Sequence, residues 1–138
     1  LKRKLMVELI IPEGYLETGT TLGEAMAEVY EAGIYPFWWK ITALDSKEEW
    51  QKMTKTLDQY DPEVGVIILG KNAPIEQFQT WFRVARSTPH TCGFAVGRSI
   101  FWEPWKQYVG GKLTIKGIAD AVAERYNSVL EIWSKTQD

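Results

Sequence analysis

The stretch "IYPFWWKITALDS", residues 34–46, decides how the rest of the chain is read. Its first part, "YPFWWKI" at 35–41, is rich in aromatic and β-branched residues and reads as a strand. Ser46, with Glu49 three positions on, has the spacing of a helix-capping box. A strand that runs at once into a helix is the unit from which parallel sheets are built. The stretch also poses a chemical question. Lys40 closes the most aromatic run of the chain, and an ammonium among Tyr35, Phe37, Trp38 and Trp39 is costly unless something compensates it.

Working outward, the same alternation repeats. "LMVELII" at 5–11, closed by Pro12, is nearly all apolar, as strands covered on both faces are. "TLGEAMAEVYEAG" at 21–33 reads as a helix, with Thr21 and Glu24 at capping-box spacing and Gly33 at its stop. Trp50, Met53 and Leu57 make the stripe of the helix after Ser46. "VGVIILG" at 64–70 is a third strand. Asn72 and Pro74 then announce a helix carrying Ile75, Phe78, Phe82 and Ala85. "CGFAVG" at 92–97 is a fourth strand, followed by "RSIFWEPWKQYVGG" and by a helix over about 114–133. That last helix is expected to turn Ile118, Val122, Tyr126, Val129 and Trp133 inward.

The order is βα four times over, an α/β domain spanning residues 1–138 with no linker or low-complexity segment. Strands separated by such helices are parallel, with right-handed crossovers. A small doubly wound sheet and half of a (β/α)8 barrel both accept four units; a complete barrel needs roughly 200 residues or more. Strand parity adds a test. If Lys40 points to a barrel interior, so does Trp38, while Phe37, Trp39 and Ile41 face the helices. If Glu8 points inward, so do Met6 and Ile10.

Composition narrows the function. The formal net charge of −2 gives no pull toward nucleic acid or an anionic membrane. No apolar run approaches the roughly 20 residues of a membrane span. The lone cysteine, Cys92, forms no internal disulfide and fits a reducing cytoplasm, and the lone histidine, His90, argues against a multi-histidine metal site. The two are expected to serve packing in "TPHTCG".

Two constellations could carry chemistry without metal or cofactor. Lys40 either snorkels to solvent or pairs with Glu8 or Asp45, or is a desolvated amine available for Schiff-base formation with Glu8 as proton shuttle. The second constellation is two strand ends that join glycine to a cation: Gly70 with Lys71, and Gly97 with Arg98 and Ser99. Glycine permits close backbone approach to an anion, and exposed N–H groups at a helix start complete a phosphate cradle. No Walker loop or GxGxxG fingerprint is present.

"LMVELIIP", "FWWKI", "VIILGK" and "GFAVGRSIFW", in this order and spacing, resemble the C-terminal half of a class I aldolase barrel. The resemblance is to the 2-deoxy-5-keto-gluconate 6-phosphate aldolase-like domains fused to 5-dehydro-2-deoxygluconokinase in bacterial inositol catabolism. Tagatose-1,6-bisphosphate aldolase is more distantly similar. The resemblance implies that Lys40 is the Schiff-base nucleophile on the sixth barrel strand and Glu8 the acid–base group on the fifth. It implies that Gly70, Lys71, Gly97 and Arg98, with Ser99 added by the strand-end reading above, bind the phosphate of a sugar or sugar-acid substrate. Lys71 stands where the family is expected to have arginine, which keeps charge but loses the planar fork. Strands one to four of a barrel are missing, so the chain is expected to pair with a second copy or with a separate half, or to be a fragment of a longer protein. The competing expectation is a non-catalytic sugar-phosphate-binding or oligomerisation module.

Overall fold

The computed structural model describes residues 3–12 and 14–136. Four strands, β1 (Met6–Glu8), β2 (Trp38–Thr42), β3 (Gly65–Leu69) and β4 (Thr91–Ala95), form one parallel sheet in the order β1-β2-β3-β4. Between and after them lie α1 (Gly19–Glu31), α2 (Lys47–Tyr60), α3 (Phe78–Ala85), α4 (Arg98–Val109) and α5 (Ile115–Lys135), with a 3-10 turn at Ile75–Gln77 leading into α3. A doubly wound sheet reverses its strand order at a switch point. This order never reverses. Of the two architectures open at the level of sequence, the chain adopts the four consecutive βα units of half a (β/α)8 barrel.

Register explains why the two faces differ. Glu8, Lys40, Ile67 and Gly93 align across the four strands, and a bulge between Val66 and Ile67 carries the row onto β4. The opposite parity belongs to the helices. Trp39, Ile41, Val66 and Ile68 are fully buried against Leu22, Met26, Trp50, Met53, Leu57, Phe78 and Phe82. The inner face stays open, and Ile10 at its rim is 65% exposed. The first strand is therefore not covered on both faces as its apolar run suggested. Only three of its residues are in the sheet, and Val7, Leu9 and Ile11 alone reach the core.

Two residues expected inside are not. Phe37 precedes β2 and is 43% exposed, with the Lys4 ammonium 3.6 Å above its ring. Tyr126 is 46% exposed because α5 buries fully only Val129 of its stripe. Helix caps show a further shift. Ser46 caps α2 as its spacing predicts, accepting the Glu49 N–H at 3.2 Å. At α1 the cap is Thr18, not Thr21: the Thr18 hydroxyl accepts the Thr21 N–H at 3.1 Å.

The reason for the earlier start is tertiary. Gly19 opens α1 directly against the first turn of α2, and its N–H donates to Glu49 Oε2 at 2.6 Å. The Lys52 ammonium and that bond hold the Glu49 carboxyl below its ordinary value, the lysine contributing more. A Cβ on residue 19 would stand 1.8 Å from the Glu49 carbonyl oxygen, an atom that cannot move alone. Gly19→Ala is thus expected to lose about 2–3 kcal/mol by overpacking, read as a lowered denaturation midpoint. An unchanged midpoint would contradict this α1–α2 approach.

The segment after β4 is a helix despite Pro104 within it. Proline has no N–H, so the Ile100 carbonyl four residues earlier loses its helical donor. Arg125 of α5 replaces it, donating from Nε to Ile100 O at 2.9 Å and from a terminal nitrogen to Ser99 O at 2.8 Å. Arg125→Ala is expected to lose about 1–3 kcal/mol through the carbonyl left without a donor. In a Pro104→Ala background, where the alanine supplies the missing N–H, the loss should shrink. Equal losses in both backgrounds would show that the arginine acts by packing alone.

Candidate functional site

The C-terminal ends of the strands and the loops that leave them enclose a pocket of about 440 Å³. In parallel barrels this is the end where binding and catalysis collect. Each site residue expected from the sequence lines it: Lys40 and Glu8 from the inner face, Gly70 and Lys71 from the turn after β3, and Gly97, Arg98 and Ser99 from the start of α4.

Glu8 and Lys40 are direct cross-strand neighbours, and Lys40 Nζ donates to Glu8 Oε2 at 3.2 Å. The lysine side chain is 22% exposed and the glutamate 43%, so the pair faces the open pocket. The aromatic run does not enclose the amine. Trp39 lies on the other side of the sheet, Phe37 precedes the strand, and Trp38 sits one step toward the opposite end beside Gly65. What stands beside the lysine is an acid, not a ring. Asp45, the other partner considered for it, accepts instead from Trp81 Nε1 at 3.3 Å.

The two strand-end turns meet. Gly70–Ala73 is a tight turn closed by Ala73 N–H to Gly70 O at 2.8 Å, with Lys71 and Asn72 both in the left-handed region (φ 43° and 61°). Positive φ at both central positions is the type I′ pattern. A Cβ on Gly70 would come within 2.6 Å of the Val96 side chain and 3.0 Å of Ser99 Oγ, so the glycine lets this turn approach the start of α4. Ser99 is buried there, its hydroxyl reaching Gly70 O at 3.4 Å. Ile100 N–H and Phe101 N–H both donate to Gly97 O, whereas among the described residues no backbone carbonyl accepts the Arg98 or Ser99 N–H. Those donors, the N-terminal end of the α4 dipole and the guanidinium of Arg98 favour an anion at one point of the pocket wall.

Sequence reasoning missed Thr42, which lines the pocket, and Glu17, which does not line it but contacts two side chains that do. Thr42 was legible by parity, two residues beyond Lys40 on the same face. Glu17 was not. It lies in the loop before α1, and its carboxylate reaches both Lys71 Nζ at 2.6 Å and the Thr42 hydroxyl at 3.0 Å. His90 and Cys92 take no part in the pocket. The buried His90 ring bridges Val64 O at 3.0 Å and Asp58 Oδ1 at 2.9 Å, tying β4 to α2. Burial pushes the Cys92 thiol up from its ordinary value, so at neutral pH it is protonated and a poor nucleophile.

A family model described as "Uncharacterized protein conserved in bacteria (DUF2090)" matches residues 1–137. The chain belongs to the DUF2090 family. No curated protein and no solved structure matches it. The DUF2090 match takes in both walls of the pocket, from Glu8 on β1 to the turn at Gly97. Among the described residues of this DUF2090 chain, no three histidine, cysteine or acidic side chains group as a metal site. No helix among them is long and apolar enough to cross a membrane.

Proposed function

We propose that this chain is part of a cytoplasmic class I aldolase-like lyase that cleaves a phosphorylated keto sugar acid, as the C-terminal half of its barrel. One observation carries the reading: an amine, a carboxylate 3.2 Å from it and two cation-bearing turns open on the same pocket. In this reading Glu8 accepts a proton from the Lys40 ammonium, and the free amine attacks the substrate carbonyl. The carbonyl oxygen leaves as water after gaining two protons, giving an iminium. A base removes the proton of the substrate hydroxyl and the carbon–carbon bond breaks. Its electron pair passes into the iminium to give an enamine, and an aldehyde departs. Protonation of the enamine carbon and addition of water then release the second product and restore Lys40. Arg98 and the N–H groups at the start of α4 hold the phosphate.

The resemblance of "FWWKI" and "GFAVGRSIFW" to the 2-deoxy-5-keto-gluconate 6-phosphate aldolase-like domains supports the substrate choice and a role in inositol catabolism. Products would then be dihydroxyacetone phosphate and malonate semialdehyde. The open inner face, and outer edges of β1 and β4 that no strand among the described residues pairs with, call for four further βα units, from a second copy, a separate half or the rest of a longer protein. The same openness favours a second reading, a non-catalytic sugar-phosphate-binding module.

Borohydride reduction of the intact native protein with dihydroxyacetone phosphate, followed by mass analysis, separates the two. The lyase reading expects a covalent adduct on one lysine. Saturable binding of the ligand with no adduct would replace it by the binding-module reading.

A further inference from the structure

Resting on the reading of the pocket as an anion site, we propose that Glu17 determines its specificity: it is a built-in competitor that holds Lys71 until a multiply charged anion recruits it. The pocket side chains include three cations, Lys40, Lys71 and Arg98. Two already have carboxylate partners, Lys40 with Glu8 and Lys71 with Glu17. Among the described residues no salt bridge occupies Arg98.

The Glu17 contact is placed to compete rather than merely to decorate the surface. Its side chain is only 20% exposed, and one oxygen is fixed by the Thr42 hydroxyl while the other takes the ammonium at 2.6 Å. Charge-assisted bonds of this length are among the stronger polar contacts. Lys71 projects from the left-handed turn and lines the same pocket as Arg98 and the start of α4, so the ammonium that Glu17 holds shares that pocket with the place where an external anion would bind. A monoanion meets Arg98 and the helix end and gains little by drawing Lys71 away. A phosphate dianion offers two charges, one for each cation. The site would therefore discriminate by ligand charge.

Calorimetric titration with inorganic phosphate tests this on the intact protein and its Glu17→Gln, Lys71→Ala, Glu17→Gln/Lys71→Ala and Arg98→Ala variants, with circular dichroism to verify folding. Glutamine keeps the shape and the contact with Thr42 but not the charge. Binding is expected to tighten about fivefold to tenfold in Glu17→Gln, and the gain should vanish when Lys71 is absent. If Glu17 merely props Lys71 in place, Glu17→Gln will weaken binding, and the proposal is overturned. A gain that persists without Lys71 overturns it as well. Phosphate binding that depends on Arg98 yet ignores Glu17 sinks this inference and leaves the anion site standing. No phosphate binding in any variant sinks both.

Discussion

Lys40→Met is expected to abolish the borohydride-trapped adduct while leaving the fold intact. Methionine matches the length of the lysine stem and removes only the amine, and the pocket's other lysine, Lys71, is held by Glu17. The substitution leaves Glu8 without its cation. That carboxylate is 43% exposed, however, and solvent replaces the partner at a loss of under about 1 kcal/mol. Loss of chemistry and loss of structure are thus separable, which they would not be for a deeply buried pair. The measurement is intact mass after reduction, with peptide mapping to assign the modified lysine. An undiminished adduct on Lys40→Met, or one mapped to Lys71, would remove Lys40 from the mechanism.

Trp39→Ala should have the largest effect on stability, about 3–5 kcal/mol. Trp39 is fully buried, and its Nε1 donates to the Tyr30 hydroxyl at 2.8 Å. Tyr30 in turn stacks on Tyr60 with ring centroids 5.2 Å apart, so the indole anchors β2 to both α1 and α2. Truncation leaves a cavity and a buried hydroxyl without its donor. Trp39→Phe should lie well below the alanine value, since it fills most of the space and loses chiefly the hydrogen bond. Urea denaturation of the three proteins gives both differences. An alanine loss near 1 kcal/mol, well short of the usual range for a buried tryptophan, would mean that the helix-facing side of the sheet is not the core described above. Neighbours in sequence, Trp39 and Lys40 are thereby assigned opposite tasks, one holding the fold and one facing the pocket.

That division was legible before any coordinates, because strand parity is a local property: alternate side chains go to alternate faces whatever the rest of the chain does. Parity grouped Trp38 with Lys40 and Met6 and Ile10 with Glu8, each on one face of its strand, and the repeated strand–helix rhythm called for a parallel sheet. The start of α1 and the helix after β4 resisted the same treatment. Capping-box spacing at Thr21 and Glu24 pointed to one start, and the approach of Gly19 to α2 selected another. Pro104 disguised α4, since the residue that repairs its missing hydrogen bond, Arg125, lies on the next helix.

By itself, then, the amino-acid order determined the four strands, the helices α1, α2, α3 and α5, the parallel sheet and which residues share a face within each strand, all through periodicities of two and about 3.6 residues. Tertiary structure alone decided that the strand order never reverses, that the lysine sits beside an acid instead of inside an aromatic cage, and that Glu17 closes on Lys71. The last contact joins residues 54 positions apart. No local period reaches that far; only the shared ends of adjacent parallel strands bring such a pair to one place.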